Sequence, residues 1–186
     1  MSLFVALNPP KKERDRIYRI AKVFRESRIP VRWVDVENYH VTLKFLGNVA
    51  ENRINRVKEV LTRVASSTGG IDLLVHRFGA FPTIRRPNVI WVGVELTPSL
   101  RCLKQDVECA LEDCGFTRET RVFHPHLTLG RADTNSGAGV FRGLDEMAMS
   151  LTQKVQMKIR KMDLMSSQVV SGNPQHSLRY STAFEG

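Results

Sequence analysis

No stretch of this chain approaches the roughly 18 consecutive apolar residues that a membrane-crossing helix requires, so a helical membrane protein is not expected. Cysteine is scarce. The three present, Cys102, Cys109 and Cys114, all fall in one predicted helix, and the first two sit about 10 Å apart along its axis, out of disulfide reach. A disulfide-stapled scaffold is thereby excluded and reduced thiols are expected. The opening segment Met1 to Leu7 runs into Asn8-Pro9-Pro10 with neither the basic n-region nor the long apolar stretch of a secretion signal, which makes the cytoplasm the expected location. Acidic residues are short in supply too: 19 Asp and Glu stand against 28 Lys and Arg, a formal charge of +9. That imbalance favours a polyanionic partner, nucleic acid or an anionic membrane first. What is there is an ordinary globular composition: 186 residues, 42% apolar and 25% charged, enough for one compact domain or two small lobes sharing a core.

Periodicity predicts strands and helices in alternation. Leu3 to Leu7 reads as a buried strand, and Ile17, Ile20, Ala21 and Phe24 recur at helical spacing. Val31 to Val34 and Val41 to Leu46 read as short strands, followed by a helix with the apolar stripe Ile54, Val57, Leu61 and Val64. Ile71 to Phe78 and Asn88 to Glu95 are strands joined by a basic loop with Pro82, Arg85, Arg86 and Pro87; Leu100, Leu103, Val107, Leu111 and Cys114 mark a third helix. After it come a strand at His126 to Arg131, a Gly-rich loop, a short helix at Leu144 to Leu151, and strands at roughly Val155 to Val169 and Ser177 to Phe184. Strands that arrive as adjacent pairs predict antiparallel sheets with helices on one face, an α+β fold. No linker divides residues 1–186.

Two of the five histidines stand in matching contexts, His40-Val41-Thr42-Leu43-Lys44-Phe45-Leu46-Gly47 and His126-Leu127-Thr128-Leu129-Gly130-Arg131. Strand alternation puts His40 with Thr42, and His126 with Thr128, on one face, and their aliphatic neighbours on the other. Two such strands side by side line a cleft with two imidazoles and two hydroxyls. Displacement at a phosphate ester needs a proton taken from the attacking oxygen and another given to the leaving oxygen, and imidazole does either near neutral pH. The threonine hydroxyls can donate to non-bridging oxygens, and Arg131 adds a positive fork at the strand end. Nothing in the arrangement requires a metal or cofactor.

With these motifs the chain resembles the 2H phosphoesterase superfamily, and the wider strings HVTLKFLG and HPHLTLGR are similar to its bacterial and archaeal branch of 2′-5′ RNA ligases, or RNA 2′,3′-cyclic phosphodiesterases. Asn8-Pro9-Pro10, Arg32-Trp33-Val34, Phe81-Pro82 and Ile90-Trp91-Val92-Gly93-Val94 extend the likeness over nearly the whole chain. The resemblance implies a single bilobal, pseudo-twofold domain over residues 1–186, with antiparallel sheets lining a central cleft, helices packed outside and no metal. It implies opening of a terminal RNA 2′,3′-cyclic phosphate to a 2′-phosphate, with a reversible 2′-5′ joining activity. By position, His40 is then the acid at the leaving oxygen, His126 orients or activates water, Phe45 contacts the terminal base and Arg131 the phosphate. One departure is His176, which stands after Gly172-Asn173-Pro174 where the resemblance implies tyrosine; it bears only on peripheral contacts, and neither His176 nor His76 is assigned a function.

Blander readings stand beside these. Arg85 and Arg86 fit a solvated loop tip as well as an RNA-backbone contact. Lys44, alternating with Thr42 and His40, fits a phosphate contact or a plain exposed lysine. His124-Pro125-His126 imitates a metal-binding His-x-His, but no carboxylate lies nearby in sequence. Trp33 and Trp91 read as core. A non-catalytic RNA-end binding module, or an enzyme for another cyclic or 2′-5′-linked nucleotide, are the competing functions, and a monomer is the default expectation.

Overall fold

The computed structural model describes residues 2–137, 139–170 and 173–185. Its strands are β1 (Ser2–Leu7), β2 (Val31–Trp33), β3 (Val41–Asn48), β4 (Ile71–Thr83), β5 (Arg86–Val94), β6 (His126–Ala132), β7 (Val155–Ile159), β8 (Lys161–Val170) and β9 (Asn173–Ala183). The helices are α1 (Lys11–Ile20), α2 (Lys22–Glu26), α3 (Glu51–Ser66), α4 (Pro98–Glu112) and α5 (Leu144–Ser150). The strands form one antiparallel sheet in the order β7-β4-β5-β6-β3-β1-β8-β9, with β2 paired to the end of β6. Its two halves mirror each other. β6 is flanked by β5, β4 and β7, β3 is flanked by β1, β8 and β9, and the halves meet where Val41 of β3 lies opposite Leu127 of β6.

The alternating aliphatic residues supply one buried face. Leu3, Val5, Leu7, Val41, Leu43, Leu127 and Leu129 are sealed under the helices together with the stripes of α3 and α4. α4 starts where expected: the Thr97 hydroxyl accepts from the Leu100 amide and Pro98 occupies the first turn. It ends at Glu112, so Cys114 lies just past the helix, and all three cysteines are free thiols. The long strand expected over Val155 to Val169 is broken at Arg160 into β7 and β8, which sit in opposite halves of the sheet, β7 at one edge and β8 next to the other. The basic connection between β4 and β5 shrinks to Ile84 and Arg85, because pairing continues to Thr83 opposite Arg86. Arg86 is therefore a strand residue.

Candidate active site

Continuing the register from Val41 opposite Leu127 sets His40 across from Thr128, and Thr42 across from His126. The four side chains of the two motifs meet on the open face, as alternation predicted. Both imidazoles are fixed by the same local device. His40 Nδ1 lies 2.7 Å from the carbonyl of Asn38, and His126 Nδ1 lies 2.7 Å from the carbonyl of His124. A carbonyl only accepts, so Nδ1–H donates to it and Nε2 carries the lone pair, bare and available to a proton.

Past the threonines, alternation fails in both motifs in the same way. Val5 pairs with Lys44 but Ala6 pairs with Thr42, so Leu43 is an extra residue in β3; Ile90 pairs with Gly130 but Trp91 with Thr128, so Leu129 is an extra residue in β6. Each bulge turns two consecutive residues inward and re-aims the next one. Leu43 and Lys44 are buried and Phe45 comes out at 65% exposure; Leu129 and Gly130 are buried and Arg131 comes out. Phe45 and Arg131 thus occupy equivalent positions, three residues after each threonine.

The cleft placement expected for Lys44 is wrong for this reason. The residue is only 4% exposed, and its ammonium donates to Glu108 and to the Thr117 carbonyl at 2.8 Å. Lys104 donates to the other Glu108 oxygen, and the Glu119 amide also reaches Glu108 at 3.1 Å. This network ties β3 and α4 to the segment leading to His124. Trp91 is the opposite correction: it is half-buried on the open face with its ring over Gly79, where a Cβ would come within 2.5 Å, and it stands 5.0 Å from Phe81 and 6.3 Å from His126. Phe81 meets His126 edge-on at 5.1 Å, while Phe4 meets His40 at 4.9 Å. Each imidazole is backed by aromatic rings. Arg85 and Arg86 are exposed and line a separate recess of about 800 Å³ with the 133–146 segment.

His176 is the residue that sequence reasoning missed. It lies on β9 opposite Ser167, and its ring stands 5.0 Å from His40 and 5.1 Å from Phe4. No motif surrounds it; the only signal was that it interrupts the family's pattern. Burial lowers all three imidazoles below the ordinary 6.5, His40 to about 4, with the Arg131 charge pushing each the same way. The Arg131 charge thus opposes protonation of all three imidazoles, after the larger effect of burial. A recess of about 820 Å³ is lined by the apolar Phe45, Phe81, Val122 and Phe123, by Thr42 and His126, and by the paired charges of Lys44, Lys104 and Glu108.

The chain matches the LigT-like phosphoesterase family over residues 7–91. It is 37% identical over 117 residues to the RNA 2′,3′-cyclic phosphodiesterase of Aeropyrum pernix, 62% of this chain and 65% of that one. Against the enzyme of the same name from Archaeoglobus fulgidus the identity is 36% over 131 residues, 70% of this chain and 72% of the relative. The one from Thermotoga maritima is 27% identical over 188 residues, 100% of this chain and 97% of that. Among solved structures, a Thermus thermophilus protein superposes with a TM-score of 0.82 at 19% identity, over 100% of this chain and 99% of the other, a likeness of fold.

Proposed function

The chain belongs to the LigT-like phosphoesterase family, and from that premise we propose that it hydrolyses RNA 2′,3′-cyclic phosphate ends to 2′-phosphates, with His40 and His126 as the acid–base pair. The observation that carries this reading is the pair of imidazoles on one face, each tied through Nδ1 so that Nε2 is free beside Arg131. His126 Nε2 takes a proton from water as its oxygen bonds to phosphorus. The bond to the 3′ oxygen breaks, and that oxygen receives the proton of His40 Nε2–H. Thr42, Thr128 and Arg131 hold the non-bridging oxygens, and Phe45 meets the terminal base. With a 5′ hydroxyl in place of water, the same displacement forms a 2′-5′ linkage. The test is incubation with a 2′,3′-cyclic mononucleotide and a cyclic-ended oligonucleotide, each with chelator, and chromatography of the product. The expected product is the 2′-phosphate; tight binding without turnover would sink the enzyme reading, and a 3′-phosphate would sink the leaving-group assignment.

The lowered imidazole values set the pH dependence. kcat/KM reports the free enzyme, and turnover needs one imidazole protonated and one neutral. Since His40 and His126 both titrate below 6.5, the productive fraction peaks on the acid side of that value and falls about tenfold per unit above it. A bound phosphodiester anion favours both imidazolium forms, so the kcat profile should peak at higher pH than the kcat/KM profile. A kcat/KM flat from pH 6 to 8 would contradict the pair.

A second expectation concerns the RNA beyond its end. With +9 on the chain, affinity for an oligonucleotide should fall steeply with salt. Arg85 and Arg86 contact the backbone, so replacing both with Ala should lower the salt slope by about 1 to 2, leaving hydrolysis of a cyclic mononucleotide nearly unchanged. An unaltered slope would return them to solvent.

A further inference from the structure

We propose that His176 is a third histidine of this site, a neutral N–H donor that binds the substrate phosphate beside His40. The proposal rests on the phosphate-site reading above and assigns to this chain a contact that its motifs do not announce. Phe4, His40 and His176 form a closed triangle of rings, 4.9, 5.1 and 5.0 Å apart, with His176 edge-on to His40. This packing fixes the plane of His176 without using its nitrogens.

Its Nδ1 is buried and has no hydrogen-bond partner among the described residues. A proton there would be a buried donor with no acceptor, whereas a lone pair there is an unfilled acceptor, the less costly of the two. The proton therefore sits on Nε2. That is the opposite tautomer to His40 and His126, whose Nδ1 protons are held by carbonyls. His40 and His126 present lone pairs suited to proton transfer, while His176 presents an N–H suited to holding an oxygen. The ring is partly buried and borders a recess of about 710 Å³ that also includes Arg25, Asp35, Glu37 and Asn38, whose carbonyl holds His40. Burial and the Arg131 charge keep His176 neutral at pH 7, so it contributes a donor there and no further cation. The three imidazoles share the field of Arg131, an arrangement that a phosphate completes.

Two variants separate the N–H from the ring. His176→Phe keeps the packing against Phe4 and His40 but has no donor; His176→Gln places an amide N–H near the Nε2 position without the ring. The measurements are inorganic phosphate binding by calorimetry, KM and kcat for a 2′,3′-cyclic mononucleotide, and a thermal melt for each protein. The Phe variant should bind phosphate more weakly and show a KM raised roughly 10- to 100-fold, with kcat changed only a few-fold, and the Gln variant should recover most of the loss. Wild-type phosphate binding in the Phe variant would overturn the proposal. So would a Gln variant as impaired as Phe with kcat lost in both, since the ring alone would then matter. A wild type that binds phosphate, and loses it on His176→Phe, yet hydrolyses no cyclic phosphate would overturn the enzymatic reading and leave this contact standing.

Discussion

Replacing either His40 or His126 with Ala is expected to lower kcat by roughly 10²- to 10⁴-fold, the range for a positioned acid or base. KM should move much less, because Arg131 and the two threonines still hold the phosphate. The double variant should be little worse than the poorer single one, since a proton delivered without its counterpart removed completes no displacement. Thr42→Val and Thr128→Val serve as the contrast. Loss of a hydrogen bond to a charged group costs about 1.5–3 kcal/mol, a tenth to a hundredth of the rate, so these variants should remain measurably active. Single-turnover kinetics on folded proteins, matched by thermal melting, decide it. Near-normal rates in either histidine variant would remove that residue from the chemistry.

The two motifs share a backbone device and yet divide the work between them, and the division comes from their surroundings. His40 sits in the ring triangle with Phe4 and His176, and its shift is the larger, down to about 4. His126 keeps Phe81 and Trp91 beside it and is lowered less. In the unliganded protein a proton therefore prefers His126, and the form with His40 protonated is the minor one. Once formed it is the more reactive: an imidazolium with a lower pKa gives its proton to a leaving oxygen more readily, and the more basic partner takes one from water more readily. The substrate anion raises the population of that minor form by favouring a proton on either ring.

Alternation was enough to bring His40, Thr42, His126 and Thr128 to one face, because a half-buried strand of period two leaves its polar positions no other place. It was not enough three residues further on. The bulges at Leu43 and Leu129 depend on pairing with β1 and β5, which no local pattern reports, and they exchange the faces of Lys44 and Phe45. The family likeness reached Phe45, and the guanidinium's place at a strand end reached Arg131, where periodicity alone would have buried both. His176 lay beyond either argument. It comes to His40 only because β8 and β9 fold back beside β1, a contact between residues far apart in the chain. Glu108 carried a faint signal: Lys104 and Glu108 stand four apart in α4 between Leu103, Val107 and Leu111, a charged pair set within an apolar stripe.

Glu108→Ala is therefore expected to be the most destabilising single change outside the aliphatic core. The carboxylate is 3% exposed and receives Lys44, Lys104 and the Glu119 amide. Removing it strands the Lys44 ammonium, itself 4% exposed, with the Thr117 carbonyl as its remaining partner. Breaking a buried pair from one side costs about 3–5 kcal/mol, which in a chain of this size lowers Tm by about 6–20 °C. Replacing both sides should cost far less: Lys44→Met with Glu108→Leu removes the charges together, and Lys104 is left nearer the surface to turn outward. The pH dependence has a definite sign. Burial pulls the Glu108 carboxyl up, but the hydrogen bonds from Lys104 and Lys44 overcome it and the net direction is down. A carboxyl depressed in the folded state stabilises fully above its unfolded value near 4.5 and loses that contribution as the pH falls through the folded one. The wild type should thus lose this stability only below pH 4.5, while the Ala variant lacks it at every pH. The network also ties down the Thr117 and Glu119 segment ahead of His124, whose carbonyl sets the tautomer of His126. Glu108→Ala should then lower kcat even at temperatures where it remains folded; a variant that melts early but turns over at the wild-type rate would confine the network to stability.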